Sequence, residues 1–254
     1  MPTNELLDQV REIALRAGQV VMDVYATDFA VRGKDDASPV TEADERAEAV
    51  IVTALRALTP DVPIVAEEEV AAGRSPAVQG RFWLVDPLDG TKEFISRNGE
   101  FTVNIALVQD GAPVLGVVYA PALGRLFAGA AGGPAYVEDA DGRRGIACRR
   151  VPADGLTVVA SRSHGDATAL DSFLAGRQVA SLKSAGSSLK LCLVATGEAD
   201  LYPRLGRTME WDIAAGHAVL SAAGGRVTDL SGNVLRYGKP GFDNPHFVAS
   251  GLSG

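Results

Sequence analysis

Apolar positions recur at spacings of three and four through Leu6, Leu7, Val10, Ile13, Ala14, Ala17, Val21 and Val24, a period that predicts an amphipathic helix. A loop rich in charge follows from Arg32 to Pro39, and a second helix is expected from about Glu42 to Leu58, with Ala43, Ala47, Val50, Ile51, Ala54 and Leu58 on one side. Thr41 and Asp44 frame its first turn in the order of a capping box. The pattern then shortens. Apolar runs at Val62–Ala66, Phe82–Asp86, Phe101–Val108, Val114–Tyr119, Arg125–Ala128 and Ala135–Val137 are divided by Asp110-Gly111, Ala122–Gly124 and Gly132–Pro134. Short runs punctuated in this way predict a largely antiparallel meander. Beyond Pro152 strands at Thr157–Ala160, Gln178–Leu182, Ala199–Tyr202 and Arg226–Asp229 alternate with helices at Asp166–Ala175, Ser187–Thr196 and Trp211–Ala223. Alternation of this kind predicts an α/β half with some parallel pairing. The expected class is α/β (α+β), with an N-terminal domain over 1–150 and a C-terminal domain over 151–254 in tight contact.

Composition narrows the picture. The chain has 254 residues, 46% of them hydrophobic, enough for a sizeable core. A net charge of −8 argues against a nucleic-acid polymer as partner, though a small anionic ligand needs only a local basic cluster. Cys148 and Cys192 fall in no metal-binding spacing, and each adjoins apolar residues, so buried free thiols are expected. No apolar run reaches the ~18 residues of a transmembrane helix. The N-terminus carries Glu5 and Asp8 where a signal peptide would be basic, so a cytoplasmic protein is expected.

The chemistry concentrates in Trp83-Leu84-Val85-Asp86-Pro87-Leu88-Asp89-Gly90-Thr91-Lys92-Glu93-Phe94. Asp86 is expected to end a buried strand, with Pro87 forcing a turn that swings Asp89 back towards it. Two carboxylates and the Leu88 carbonyl form a set of oxygen donors that suits a hard cation such as Mg²⁺. Gly90 and Thr91 offer main-chain N–H groups at a helix start, where an anion is welcome. Metal ligands beside a phosphate cradle point to phosphoryl chemistry.

This string resembles the lithium-sensitive, magnesium-dependent phosphatase superfamily that includes the inositol monophosphatases. Glu93 and Phe94, with Arg97-Asn98-Gly99-Glu100-Phe101-Thr102-Val103-Asn104, are similar to its CysQ-type 3′(2′),5′-bisphosphate nucleotidase branch. The resemblance runs from about residue 5 to about residue 250 and implies stacked α-β-α-β-α layers. It maps a metal-ligating glutamate onto Glu67, 19 residues before Asp86, where Glu67-Glu68-Glu69 could otherwise be a plain surface turn. Glu68 would support it and Glu69 would lie in solvent. Trp211-Asp212-Ile213-Ala214-Ala215-Gly216 resembles a second signature; Asp212, which could simply face a helix dipole, would reach the metals and the substrate. Asp44 matches the aspartate of a Ser-Pro-Val-Thr-x-Ala-Asp segment and would stand behind Thr91. The reaction implied is water attack on a phosphate monoester, with Glu67 and Thr91 orienting the water. Two or three Mg²⁺ ions would be held by Glu67, Asp86, the Leu88 carbonyl, Asp89 and Asp212.

Segments around Ser187–Lys190 and Leu201–Arg204, and His164, resemble the branch's nucleotide contacts. Ser187 and Lys190 lie about one helical turn apart and could share a face, while Lys190 and Arg204 would hold the phosphate that is not cleaved. The expected substrate is adenosine 3′,5′-bisphosphate, converted to AMP, and in addition its sulfated relative. An inositol or sugar monophosphatase, and a nucleotide or metal sensor without turnover, are the alternatives.

Overall fold

The computed structural model describes residues 3–33, 39–162 and 167–252. Helices α1 (Thr3–Tyr25) and α2 (Glu42–Leu58) form as the periodicity predicts, and between them lies a two-stranded ribbon of β1 (Val31–Gly33) and β2 (Pro39–Thr41). Thr41 caps α2 through its hydroxyl, and Asp44 returns the bond to the Thr41 main chain, so the capping box is complete.

The N-terminal half continues as β3 (Ile64–Ala66), the short helix α3 (Glu67–Ala71), β4 (Arg81–Asp89), the short helix α4 (Thr91–Ile95), β5 (Thr102–Gln109), β6 (Ala112–Ala120), β7 (Arg125–Ala130), β8 (Tyr136–Asp139) and β9 (Gly142–Gly145). These strands make one seven-stranded sheet in chain order. Only the β3–β4 pair is parallel, so the expected meander is present with one parallel edge added. The sheet is covered on both faces, which is why its strands read as continuous apolar runs. Parity along each strand decides the face. Trp83, Val85, Ile105, Leu107 and Val117 pack with α1 and α2. Phe82, Leu84, Ala106, Val108 and Val118 pack with the opposite layer.

That opposite layer comes from the C-terminal half: β10 (Leu156–Ser161), α5 (Ala167–Leu174), β11 (Val179–Ala185), α6 (Leu189–Ala195), β12 (Leu201–Arg204), α7 (Glu210–Ala222), β13 (Arg226–Asp229) and β14 (Phe247–Ser250). Its five strands run in the order β11-β10-β12-β14-β13, parallel from β11 to β12 and antiparallel through β14 to β13. Helices α6 and α7 lie between the two sheets, and α5, with no buried residue, lies outside. A single apolar cluster joins Phe82, Leu84 and Val118 to Leu191, Ala214, Val219 and Phe247, so the core crosses the connection near residue 150.

Glycines set the closeness of that packing. A Cβ on Gly116 of β6 would lie 2.3 Å from the Ala215 carbonyl oxygen of α7, and one on Gly216 would lie 2.8 Å from Leu191 Cβ of α6. The helix carrying Asp212 therefore rests on the sheet backbone itself. Cys148 and Cys192 are buried free thiols, as their neighbours suggested.

Candidate active site

Strand β4 does not end at Asp86. It runs on to Asp89 and pairs with β5 through a register shift between Asp86 and Asp89. Pro87 falls inside that irregularity, where a residue without an N–H is tolerated. The turn expected at Pro87 is thus a bulge in a longer strand. Asp86 Oδ1 accepts from the Leu88 N–H at 3.0 Å, which ties its carboxylate to the main chain of the bulge. Parity sends Asp86 and its cross-strand partner Asn104 to the face covered by α7.

Gly90 follows at φ 92°, a left-handed conformation, and begins α4. A Cβ there would come within 3.3 Å of the Glu100 carbonyl oxygen and of Glu93 Oε2. The next residue, Thr91, donates from Oγ1 to Asp44 Oδ1 at 3.3 Å and to the Leu88 carbonyl at 3.4 Å. Asp44 Oδ2 meanwhile accepts from the main-chain N–H and the hydroxyl of Thr41, each at 2.8 Å. Capping and support of Thr91 are therefore carried by the two oxygens of one buried carboxylate.

Asp212 arrives from the other half at the third position of α7, its Oδ2 accepting from the Met209 N–H at 2.8 Å. Its carbonyl is approached by Asn104 Nδ2 at 3.5 Å and accepts from the Ser188 hydroxyl. Asn104 Nδ2 also reaches Asp89 Oδ2 at 3.4 Å. Asn104 was missed in the sequence, though a lone Asn inside the apolar run Phe101–Val108 was a signal, and Ser188 was read only as part of a nucleotide-contacting segment and not as a partner of Asp212.

Glu67, Asp89, Gly90, Thr91, Ser187, Lys190, Arg204 and Asp212 line one cavity of 410 Å³. Asp86 lies beneath it, 1% exposed. Its carboxyl is raised well above the usual range by burial and by the charges of Glu67, Asp89 and Asp212. Asp212 is raised likewise by burial, then by Asp89 and Glu67. Burial lifts Asp89 to about 6, with Lys190 opposing. Glu69, expected in solvent, instead pairs with Arg56 at 3.3 Å and is largely covered.

The cationic side is equally buried. Lys190 is 4% exposed and donates to the Ala185 and Ser187 carbonyls, with Nζ 5.4 Å from the Tyr202 ring centroid. Burial lowers its ammonium to about 8, and nearby Asp89 acts the other way. Arg204, 9% exposed, donates to the Arg207 carbonyl at 2.8 Å. Ser187 differs from expectation: α6 begins at Leu189, and Ser187 sits before it at φ 44°. It meets Lys190 through its carbonyl and not along a shared helix face. Its Oγ is buried with no hydrogen-bond partner among the described residues. His164 lies outside the described residues.

The donor set fits a divalent cation. Four carboxylates facing one buried site repel one another, and the cost is relieved by neutralisation. Among the described residues no three acidic, histidine or cysteine side chains already close into a ligand cage.

The family model for the inositol monophosphatase family matches residues 3–250. The chain belongs to the inositol monophosphatase family. Members of this family are generally magnesium-dependent phosphatases, and lithium sensitivity is typical of them. The chain is 50% identical over 248 residues to the 3′(2′),5′-bisphosphate nucleotidase CysQ of Escherichia coli K12, covering 96% of this chain and 99% of that protein. The crystal structure of CysQ from Bacteroides thetaiotaomicron superposes with a TM-score of 0.82 at 37% identity, covering 98% of each chain. The Thermotoga maritima IMPase gives 0.80 at 29% identity, over 97% of this chain and 92% of that one. No helix among the described residues is long and apolar enough to cross a membrane.

Proposed function

We propose that this chain hydrolyses the 3′-phosphate of adenosine 3′,5′-bisphosphate to give AMP and phosphate, and that it also accepts 3′-phosphoadenylyl sulfate. One observation carries the reading: a single cavity is lined by the carboxylates Glu67, Asp89, Glu93 and Asp212, with Asp86 buried below, and by two buried cations, Lys190 and Arg204. A substrate with one scissile phosphate and one retained phosphate matches both. The identity with CysQ over nearly the full length supports the same substrate class.

In this reading Glu67, Asp86, the Leu88 carbonyl, Asp89 and Asp212 hold two or three Mg²⁺ ions. Bound magnesium supplies Lewis-acid polarisation of the phosphoryl group and of the attacking water. Thr91 gives its hydroxyl proton to Asp44 and so presents a lone pair to that water, which fixes its direction of attack. Glu67 orients it from the other side. The water oxygen bonds to phosphorus, the bond from phosphorus to O3′ breaks, and O3′ leaves with the proton that the attacking water gives up. Gly90 and Thr91 face the scissile phosphate with main-chain N–H groups. Lys190 and Arg204 bind the retained phosphate, and Ser187 and His164 are assigned to contacts with the nucleotide.

The test is phosphate release from adenosine 3′,5′-bisphosphate, inositol 1-phosphate and fructose 1,6-bisphosphate side by side with Mg²⁺. The expected result is the highest kcat/KM on the nucleotide. A preference for inositol 1-phosphate would overturn the nucleotide assignment and leave a monophosphatase with the same acidic core.

A further inference from the structure

Glu48 is a carboxylate 6% exposed on α2, one turn after Asp44. Two like charges four residues apart on one helix face destabilise it, and burying them costs more. Each is nonetheless engaged with a different loop of the site. Asp44 takes the Thr91 hydroxyl. Glu48 Oε2 accepts from the Glu68 main-chain N–H at 2.7 Å. The turn so held begins with Glu67. Ala66, the residue before it, makes no side-chain cap, so the cap that a Ser or Asp would supply there is absent.

We infer that Glu48 is a positioning residue for the metal-ligating glutamate: by fixing the peptide between Glu67 and Glu68 it sets the direction of the Glu67 side chain. The inference rests on the reading of Glu67 as a metal ligand. Helix α2 then acts on both loops at once. Asp44 and Glu48, one turn apart on a rigid rod, hold the Thr91 loop and the Glu67 turn at a fixed separation. Neither loop contains that information alone. The Glu67 turn ends a three-residue strand and the Thr91 loop ends a nine-residue one. The cation bound between them would otherwise have to hold both in place.

The test is Mg²⁺ binding to the full-length protein by calorimetry, together with phosphate release titrated with MgCl₂. Glu48→Met keeps the side-chain length and removes the acceptor. Glu48→Asp keeps the charge and withdraws the acceptor by one methylene, and serves if the methionine variant does not fold. Both are expected to raise the Mg²⁺ Kd and the half-saturating Mg²⁺ on the order of 10–100-fold, the usual effect of losing a residue that orients a metal ligand. Saturating Mg²⁺ should restore kcat to near the parent value. Glu48→Gln retains a carbonyl acceptor and should bind Mg²⁺ much as the parent does. Unchanged Mg²⁺ affinity in Glu48→Asp, or equal losses in Glu48→Gln and Glu48→Met, would overturn the inference. Glu67→Gln separates the two levels: if it binds Mg²⁺ like the parent, the ligand assignment itself falls, whatever Glu48 does.

Discussion

Asp89 stands where three demands meet, because it faces Lys190, accepts from Asn104 and shares a buried cavity with Asp212. Asp89→Asn preserves shape but deletes one charge from the proposed metal-binding set. Turnover should fall on the order of 10³-fold with the fold intact, as expected when several kcal/mol of metal-dependent stabilisation is lost. Steady-state kinetics with circular dichroism as a fold control measure this, and near-parent activity would remove the β4 loop from the mechanism. Lys190 makes a different prediction. If it binds the retained phosphate, Lys190→Ala raises KM for adenosine 3′,5′-bisphosphate far more than for a simple monophosphate. Equal losses on both substrates would make Lys190 a support for Asp89 instead.

At the level of elements, the seat of α7 is the sensitive joint. Gly116→Val in β6 drives a side chain into the Ala215 carbonyl and Ala218, 2.3 and 2.8 Å from the new Cβ. Overpacking of this kind costs about 3 kcal/mol. Displacement of α7 also moves Asp212, so denaturant unfolding should show lower stability and calorimetry weaker Mg²⁺ binding. Unchanged stability would mean that the sheet and helix part without strain. The elements were legible where a hydrophobic period was long enough to be unambiguous, as in α1 and α2, or where apolar runs were divided at a glycine, as β5 and β6 are at Gly111. Strand β14 was not, because Phe247–Ser250 is four residues that become a strand only by pairing with β12 and β13. The continuation of β4 past Pro87 was hidden because proline reads locally as a stop, while the partner strand β5 carries the pairing across the bulge. The acidic residues were visible through their motifs. Asn104, Glu48 and the contact of Ser188 with Asp212 were not, because each depends on a main-chain or side-chain group brought up by another layer.

Over the whole molecule the central helical layer carries a further buried titratable group. His217 of α7 is 4% exposed, with Nδ1 2.8 Å from the Tyr237 hydroxyl, and burial lowers its imidazolium to about 4. The folded state therefore holds His217 neutral where the unfolded chain, with a pKa near 6.5, would bind a proton. Its contribution is complete above pH 6.5 and is lost as pH falls towards 4, a span worth roughly 3 kcal/mol. The stability difference between the parent and His217→Gln should shrink over that interval, and comparing the two cancels the titration of the carboxylates. A constant difference from pH 7 to pH 4 would show that His217 titrates normally. Cys192 lies in the same layer, on α6, fully buried, and burial pushes its thiol far from ionisation. Helix α6 is pressed against α7 at Leu191 and Gly216, and Ser188 and Lys190 tie its start to the cavity. A thiol so placed can react with a disulfide reagent only when the two sheets part around it. In a Cys148→Ser background, Cys192 is then a stopwatch. Mg²⁺ with inorganic phosphate should slow its labelling, and the lag before modification counts how long the catalytic layer stays shut.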